Sequence, residues 1–223
     1  MLNIYMDETR MRAEVDGGRH RDVIGGLWDE VGALQFDFLR AQGMAPQHML
    51  LDVGCGSGRL AVLAVPYLEP GRYFGIDISP ALLRAARDEL AAAGCADRIS
   101  ATTFHATADF RPSAEMPAAF DFAIAQSVFT HLPLSHFTAC LRSLRPRIAP
   151  GGLFFATFFT APAGAEQFLH ERGGVTTFAE RDPFHFSVEA ILAAARSEGW
   201  RAEWIGEWTH PRDQQMCSLS PPV

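Results

Sequence analysis

The period of the apolar positions changes along the chain. Residues 1–26 show no steady period and end in Gly25–Gly26, which reads as a mobile N-terminal segment. From Leu27 to Gln42 apolar residues recur at Leu27, Val31, Leu34, Phe38 and Leu39, the stripe of an amphipathic helix, and Gly43 closes it as a C-terminal cap would. From residue 49 short apolar runs alternate with helical stretches. MLLDV predicts a strand, RLAVLAVPYL a helix bent or ended near Pro66, and RYFGIDI a second strand. Ser79 and Pro80 then provide an N-cap and a first helical residue for ALLRAARDELAAAG, which stops at Gly94. ISATTFHA, FDFAIAQ and GGLFFATFF predict the third, fourth and fifth strands, with a helix at LSHFTACLRSLRPRI before the fifth. An irregular stretch from 160 to 186 precedes a helix at VEAILAAARSEG, and RAEWIGEW and QQMCSL end the chain as two strands. This alternation predicts a doubly wound α/β fold, a mostly parallel sheet with helices on both faces.

At 223 residues, 48% of them apolar, the chain suits one α/β domain with a full core. The balance is acidic, 19 Lys and Arg against 26 Asp and Glu, which argues against a nucleic-acid partner held through its phosphates. Cys55, Cys95, Cys140 and Cys217 are scattered without metal-ligand spacing. No metal site is expected, and the thiols read as reduced, as in a cytoplasmic protein. The N-terminus carries acids and lacks an apolar signal-peptide core. The longest uncharged stretch, 148–165, is broken by Pro150, Gly151, Gly152 and Pro162, so no membrane span is expected. The sequence is compatible with a monomer or a homodimer.

The segment LLDVGCGSGRL, residues 50–60, runs an apolar strand directly into Gly54, Gly56 and Gly58 with a helix behind them. Glycines there let the backbone approach a ligand with no Cβ between them, and the helix start directs free N–H groups toward it. The spacing GxGxG departs from the GxGxxG of dinucleotide enzymes. Asp52, two residues earlier, would repel a pyrophosphate and favours an ammonium or sulfonium cation. Asp77 ends the second strand about twenty residues on, placed to accept hydrogen bonds from both hydroxyls of a ribose.

The successive segments DVGCGSG, GID, FDFAIAQS and APGG, in this order over residues 48–160, resemble the motifs of class I S-adenosylmethionine-dependent methyltransferases. The resemblance implies a seven-stranded sheet with an antiparallel last strand, S-adenosylmethionine as cofactor and S-adenosylhomocysteine as product. It implies that Asp52, Gly54, Cys55 and Gly56 surround the methionine part and that Asp77, with Ile78, holds the ribose. Asp109 and Phe110, at the end of the third strand, would meet the adenine, with a turn or helix cap as the competing role for Asp109. Gln126 and Ser127 would flank the methionine carboxylate and the reacting methyl. It divides the single domain into a lid at 1–26, a leading helix at 27–43, a cofactor core at 48–160 and a substrate-covering insert at 160–186. GGLWDEVGALQFDFL and AQSVFTHLPLSHF further resemble a narrower bacterial group that includes sugar- and metabolite-directed methyltransferases.

Methyl transfer to oxygen commonly requires a base, and histidine suits that task near neutral pH. His131 lies just beyond the fourth strand, His185 in the insert and His210 between the last two strands. Against each stands a structural role: a helix start or core position for His131, loop packing for His185, and a hairpin tie for His210 with Arg212. His136 reads as surface and His105 as structural. Phe178, Phe184 and Phe186 would wall the acceptor pocket, Arg181 or Asp182 would anchor its polar part, Arg212 would bind an anionic group, and Trp28 would cover the site. These residues favour a methyltransferase acting on a metabolite, natural product or sugar, with O-methylation ahead of N-methylation. A non-catalytic S-adenosylmethionine-binding module, an NAD-dependent oxidoreductase and a nucleic-acid methyltransferase are the alternatives. The glycine spacing disfavours the oxidoreductase, and AQSV in place of an NPPY-like tetrad disfavours methylation of bases.

Overall fold

A computed structural model describes residues 3–222; the first two residues of the N-terminal segment lie outside that range. The segment is helical, with α1 (Glu8–Asp16) and α2 (His20–Val23) ahead of α3 (Trp28–Ala41). There follow β1 (Leu50–Val53), α4 (Ala61–Tyr67), β2 (Tyr73–Asp77), α5 (Pro80–Ala92), β3 (Phe104–Ala106), β4 (Phe120–Ala125), α6 (Leu134–Leu144) and β5 (Ile148–Thr160). The last third holds β6 (Gln167–His170), β7 (Val175–Phe178), β8 (His185–Phe186), α7 (Val188–Ser197), β9 (Arg201–Glu207) and β10 (Gln215–Ser220).

Every residue of β1 and β2 is buried, as strands covered on both faces require. The main sheet runs β3-β2-β1-β4-β5-β10-β9, parallel from β3 to β5, with β10 antiparallel to both of its neighbours. The expected doubly wound sheet with its antiparallel last strand is therefore present. An eighth strand, β8, adds a short parallel pairing at the end of β5. The strand order reverses between β1 and β4, which opens a crevice at the carboxyl ends of the strands. One face of the sheet packs on α6 and α7 through Phe129, Phe137, Leu141, Phe158, Ile191 and Trp200. The other packs on α3, α4 and α5 through Leu39, Leu60, Ala64, Leu83, Leu90 and Phe155.

Three segments depart from the sequence expectation. Residues 99–103 do not extend the third strand: Ala101–Thr103 forms a single 3-10 turn, and the Ser100 N–H donates to Thr103 Oγ1 at 2.9 Å. Short Ser and Thr side chains compete in this way with strand ladders. The stretch 160–186 is ordered, with β6 and β7 paired as a separate antiparallel hairpin; runs of four residues are too short to show a period. The N-terminal segment escapes a periodicity reading because Met11 is the only buried residue of α1. Its start is nevertheless marked, since Asp7 Oδ1 accepts from the Arg10 N–H at 3.0 Å as an N-cap.

Met11 packs on Ala81 and Leu82 of α5. Met11→Ala is expected to cost about 2–4 kcal/mol of docking energy. Hydrogen exchange should then accelerate across Glu8–Asp16 and leave β1 and β2 unchanged; unaltered exchange in α1 would contradict this packing.

Candidate active site

The turn after β1 builds the floor of the cleft. The Gly54 N–H donates to the Ile76 carbonyl at 2.8 Å, which ties the turn to the end of β2. Gly54 has φ +68°, and a Cβ there would lie 2.4 Å from Val128 Cγ2. Gly56, at φ +54°, would place a Cβ 3.1 Å from Ile24 of the N-terminal segment. Both positions therefore require glycine, for conformation and for close approach. Asp77 accepts from the Gly56 N–H at 2.8 Å and from the Ser79 N–H at 2.9 Å, one bond on each carboxylate oxygen. Each oxygen keeps acceptor capacity for a ribose hydroxyl.

Asp52 is buried and accepts from the Tyr73 hydroxyl at 2.7 Å. Burial raises its pKa to about 7, against the opposing effects of that hydrogen bond and of the Arg59 charge. Burial likewise raises Asp77, and it pushes the Cys55 thiol up, so Cys55 is a packing residue of the cleft wall. Asp52, Gly54, Cys55, Gly56, Asp77, Ile78, Phe110, Gln126, Ser127 and His131 all line one cleft. Phe110 and Ser127 have φ values of +61° and +59°. Non-glycine residues held there cost about 1–3 kcal/mol each, strain of the kind that collects at functional sites.

A buried polar network stands behind the β4 end of the cleft. Thr157 Oγ1 accepts from the Ser127 N–H and donates to Gln214 Oε1, each at 2.8 Å. Gln126 Oε1 accepts from Arg59 Nη2 at 2.8 Å, and its Nε2 faces Ser127 Oγ at 2.7 Å and His210 Nε2 at 3.1 Å. His210 is buried in this network rather than exposed in the cleft, and burial lowers its pKa to about 3. It stays neutral and structural.

His131 differs from the other candidate histidines. Its ring is half-buried, it lines the cleft, and Nδ1 donates to Asp182 Oδ1 at 2.7 Å. A carboxylate oxygen only accepts, so Nδ1 carries a proton and Nε2 is the ring nitrogen without a protein partner. The insert is docked beside it because the Phe184 N–H donates to the Thr130 carbonyl at 2.7 Å. The N-terminal segment reaches the same place. Asn3 Nδ2 donates to the His131 carbonyl at 3.1 Å, and the Tyr5 ring meets the imidazole edge-on at 5.2 Å. Farther along, Glu8 accepts from Ser79 Oγ at 2.7 Å and from the Ala81 N–H at 3.1 Å, at the start of α5.

Several candidates lie elsewhere. Asp109 is exposed and accepts from Thr107 Oγ1 at 2.7 Å and the Arg111 N–H at 3.1 Å, the competing turn role; Thr107 and Ala108 line the cleft in its place. His185 is buried away from the cleft with both ring nitrogens engaged, Nδ1 with Thr177 Oγ1 and Nε2 with the Ala165 carbonyl, each at 2.8 Å. Phe184 is buried and stacks on Phe186. Arg212 Nη2 donates to the Gly25 carbonyl at 2.8 Å, tying the last hairpin to the N-terminal segment. Trp28 lies under the Arg21 guanidinium, 4.7 Å from its ring centroid, outside the cleft. Sequence reasoning missed Arg59, Gln35, Asn3 and Tyr5. Arg59 directly follows the glycine turn, and Gln35 is the one polar side chain in the buried stripe Val31, Gly32, Gln35, Leu39 of α3.

Among the described residues no helix is long and apolar enough to cross a membrane, no cluster of metal-ligating side chains is present, and all four cysteines are buried and unbridged. A glycine turn, an acidic residue ending the second strand and a cleft at the sheet's reversal define an α/β protein built to hold an adenosine-type cofactor. Residues 51–154 match the family model described as a methyltransferase domain. Over that stretch the chain is similar to S-adenosylmethionine-dependent methyltransferases. It is similar to the ubiquinone biosynthesis O-methyltransferase of Chromobacterium violaceum, 28% identical over 149 residues, a match covering 63% of this chain and 60% of that one. The chain thus spans about three fifths of that curated relative's length. Its fold is similar to the structure of DhpI in complex with S-adenosylhomocysteine, with TM-score 0.66, 18% identity and 97% of each chain covered. It is also similar to magnesium protoporphyrin IX methyltransferase from Synechocystis PCC 6803 with bound S-adenosylhomocysteine, with TM-score 0.64, 18% identity, and 97% of this chain and 100% of that one covered.

The raised pKa of Asp52 has a stability consequence. A carboxyl whose folded-state pKa lies near 7, above its ordinary 3.8, favours the fold below pH 3.8 and loses that contribution as pH rises through 7. Asp52→Asn should therefore gain melting temperature relative to the parent as pH rises from 3.8 to about 7, with little further gain above that. A difference independent of pH would contradict a buried, late-ionising carboxyl.

Proposed function

We propose that this chain transfers the methyl group of S-adenosylmethionine to a hydroxyl of a small molecule. The residues present fit that cofactor. Gly54 and Gly56 leave the space that Cβ atoms would fill, Asp77 offers two carboxylate oxygens beside the turn, and Asp52 places negative charge in the same cleft. When bound, S-adenosylmethionine supplies a methyl group on a sulfonium, ready for in-line displacement. The chain's part is alignment, exclusion of water and proton removal. Residues 3–26 close over the cleft by way of Asn3, Tyr5 and Ile24.

The observation that carries O-methylation is the His131–Asp182 pair. Asp182 holds the imidazole with its Nδ1 proton directed away from the acceptor, so Nε2 can take a proton from a hydroxyl at the cleft. Of His131, His185 and His210 only His131 both lines the cleft and leaves a ring nitrogen uncommitted; His136, read from the sequence as surface, also lines the cleft with its Nδ1 buried and unpartnered, but only His131 is held by a carboxylate. The likeness to O-methyltransferases of ubiquinone biosynthesis supports the same choice of atom. Tyr5, Met6 and Leu132 give the wall near His131 an apolar and aromatic character suited to a ring-bearing metabolite.

With an acceptor found by screening phenolic and sugar metabolites, His131→Asn is expected to lower kcat by about 10²–10⁴. S-adenosylhomocysteine affinity should be preserved, and Asp182→Asn should give a smaller loss with a displaced pH profile. Full turnover by His131→Asn would remove the general-base assignment.

A further inference from the structure

Four buried side-chain atoms among the described residues lack a hydrogen-bond partner: Gln35 Oε1, Arg59 Nε, His136 Nδ1 and Arg147 Nε. Arg147 lies outside the cleft, and Gln35 and Arg59 are joined to Gln126 just past β4. His136 is different. The sequence marks it as a surface residue, yet it is half-buried and lines the cleft with His131 and Leu132. It stands in the first turn of α6, where its backbone N–H donates to the Pro133 carbonyl at 2.9 Å.

The two ring nitrogens of His136 have different surroundings. Because Nδ1 is enclosed, Nε2 is the nitrogen left to face the cleft. A proton on Nδ1 would make it an orphaned buried donor, which is rarer and costlier than an unused lone pair. The imidazole therefore carries its proton on Nε2 and presents a donor. His131 is turned the opposite way, with its Nδ1–H spent on Asp182 at 2.7 Å and Nε2 left to receive a proton. One wall of the cleft thus offers a nitrogen that accepts and a nitrogen that donates. A donor aimed at the reacting oxygen itself would draw on the lone pair that attacks the methyl, so the His136 N–H serves a different oxygen.

We infer that His136 is an acceptor-binding residue, whose Nε2–H donates to an oxygen beside the reacting hydroxyl. The acceptor class is then a molecule in which the hydroxyl has a neighbouring carbonyl, ether or hydroxyl oxygen, rather than one with an isolated hydroxyl. The inference rests on the proposed transfer to a hydroxyl at His131.

The test titrates the full chain, saturated with S-adenosylhomocysteine, with 2-methoxyphenol, which sets an ether oxygen beside its hydroxyl, and with phenol, which lacks that oxygen. NMR shifts read both affinities. The unaltered chain should bind 2-methoxyphenol about threefold to tenfold more tightly, the range of one net hydrogen bond. His136→Phe keeps a ring and removes the donor; it should erase the preference and leave phenol within about twofold. His136→Gln, whose amide supplies an N–H, should restore part of the preference, which a merely structural role would not do. A preference absent from the unaltered chain, or unchanged in His136→Phe, would overturn the assignment. If His136→Phe does not fold, NMR of the histidine-labelled parent decides, since a proton found on His136 Nδ1 rather than Nε2 overturns it equally. His131→Leu should weaken both ligands alike. Undiminished binding there, or failure of the parent to take up S-adenosylhomocysteine, would instead overturn the proposed function.

Discussion

Burial of charge at the carboxyl ends of β1 and β2 is the constraint around which the molecule is built. Asp52, Asp77 and Arg59 are all buried in one cleft, and none of them is hydrogen-bonded to an opposite charge. Such groups need fixed polar partners, because a low-dielectric surrounding magnifies the cost of each unpaired one. Tyr73 serves Asp52, backbone N–H groups serve Asp77, and Gln126 and Gly26 serve Arg59. The result is a cleft whose buried carboxylates and guanidinium are each fixed by polar partners.

The same constraint accounts for the many ties between the N-terminal segment and the core. The Gly25 and Gly26 carbonyls are held by Arg212 and Arg59, the His20 carbonyl accepts from Ser57 Oγ at 3.1 Å, and Glu89 pairs with His20 and Arg21. Most of these ties reach residues that also shape the cleft or its supporting loops. The N-terminal segment is thus joined to the polar shell of the cleft through Arg59 and to the glycine turn through Ser57. The His131–Asp182 pair is assembled in the same way, by an insert docked through Phe184 on one side and by Asn3 and Tyr5 on the other.

The sheet was legible in the sequence because strands buried on both faces read as continuous apolar runs, and β1 and β2 are of that kind. The glycine turn was legible because Gly54 and Gly56 sit where no other residue fits, which leaves a spacing that survives as a motif. Side-chain commitments were not legible. His185, Arg212 and Trp28 belong to segments near the expected edge of the sheet, yet their polar or aromatic groups are spent on Thr177, Gly25 and Arg21. Which way a side chain turns depends on contacts 7 to 187 residues away in these cases, and local pattern does not encode them. Arg59 was overlooked for the opposite reason: it stands inside the quoted motif, but only its burial beside neutral acceptors reveals an unmet charge.

The central claim is that the cleft holds S-adenosylmethionine through its carboxylates and glycine turn. Calorimetric titration with S-adenosylhomocysteine, on the unaltered chain and on Asp77→Ala, with NAD as control, tests it most directly. Binding near about 1–100 μM that Asp77→Ala weakens by tenfold or more, with none for NAD, is the predicted result, since losing a buried charged acceptor costs about 1.5–3 kcal/mol. No binding of S-adenosylhomocysteine, or a preference for NAD, would contradict the account.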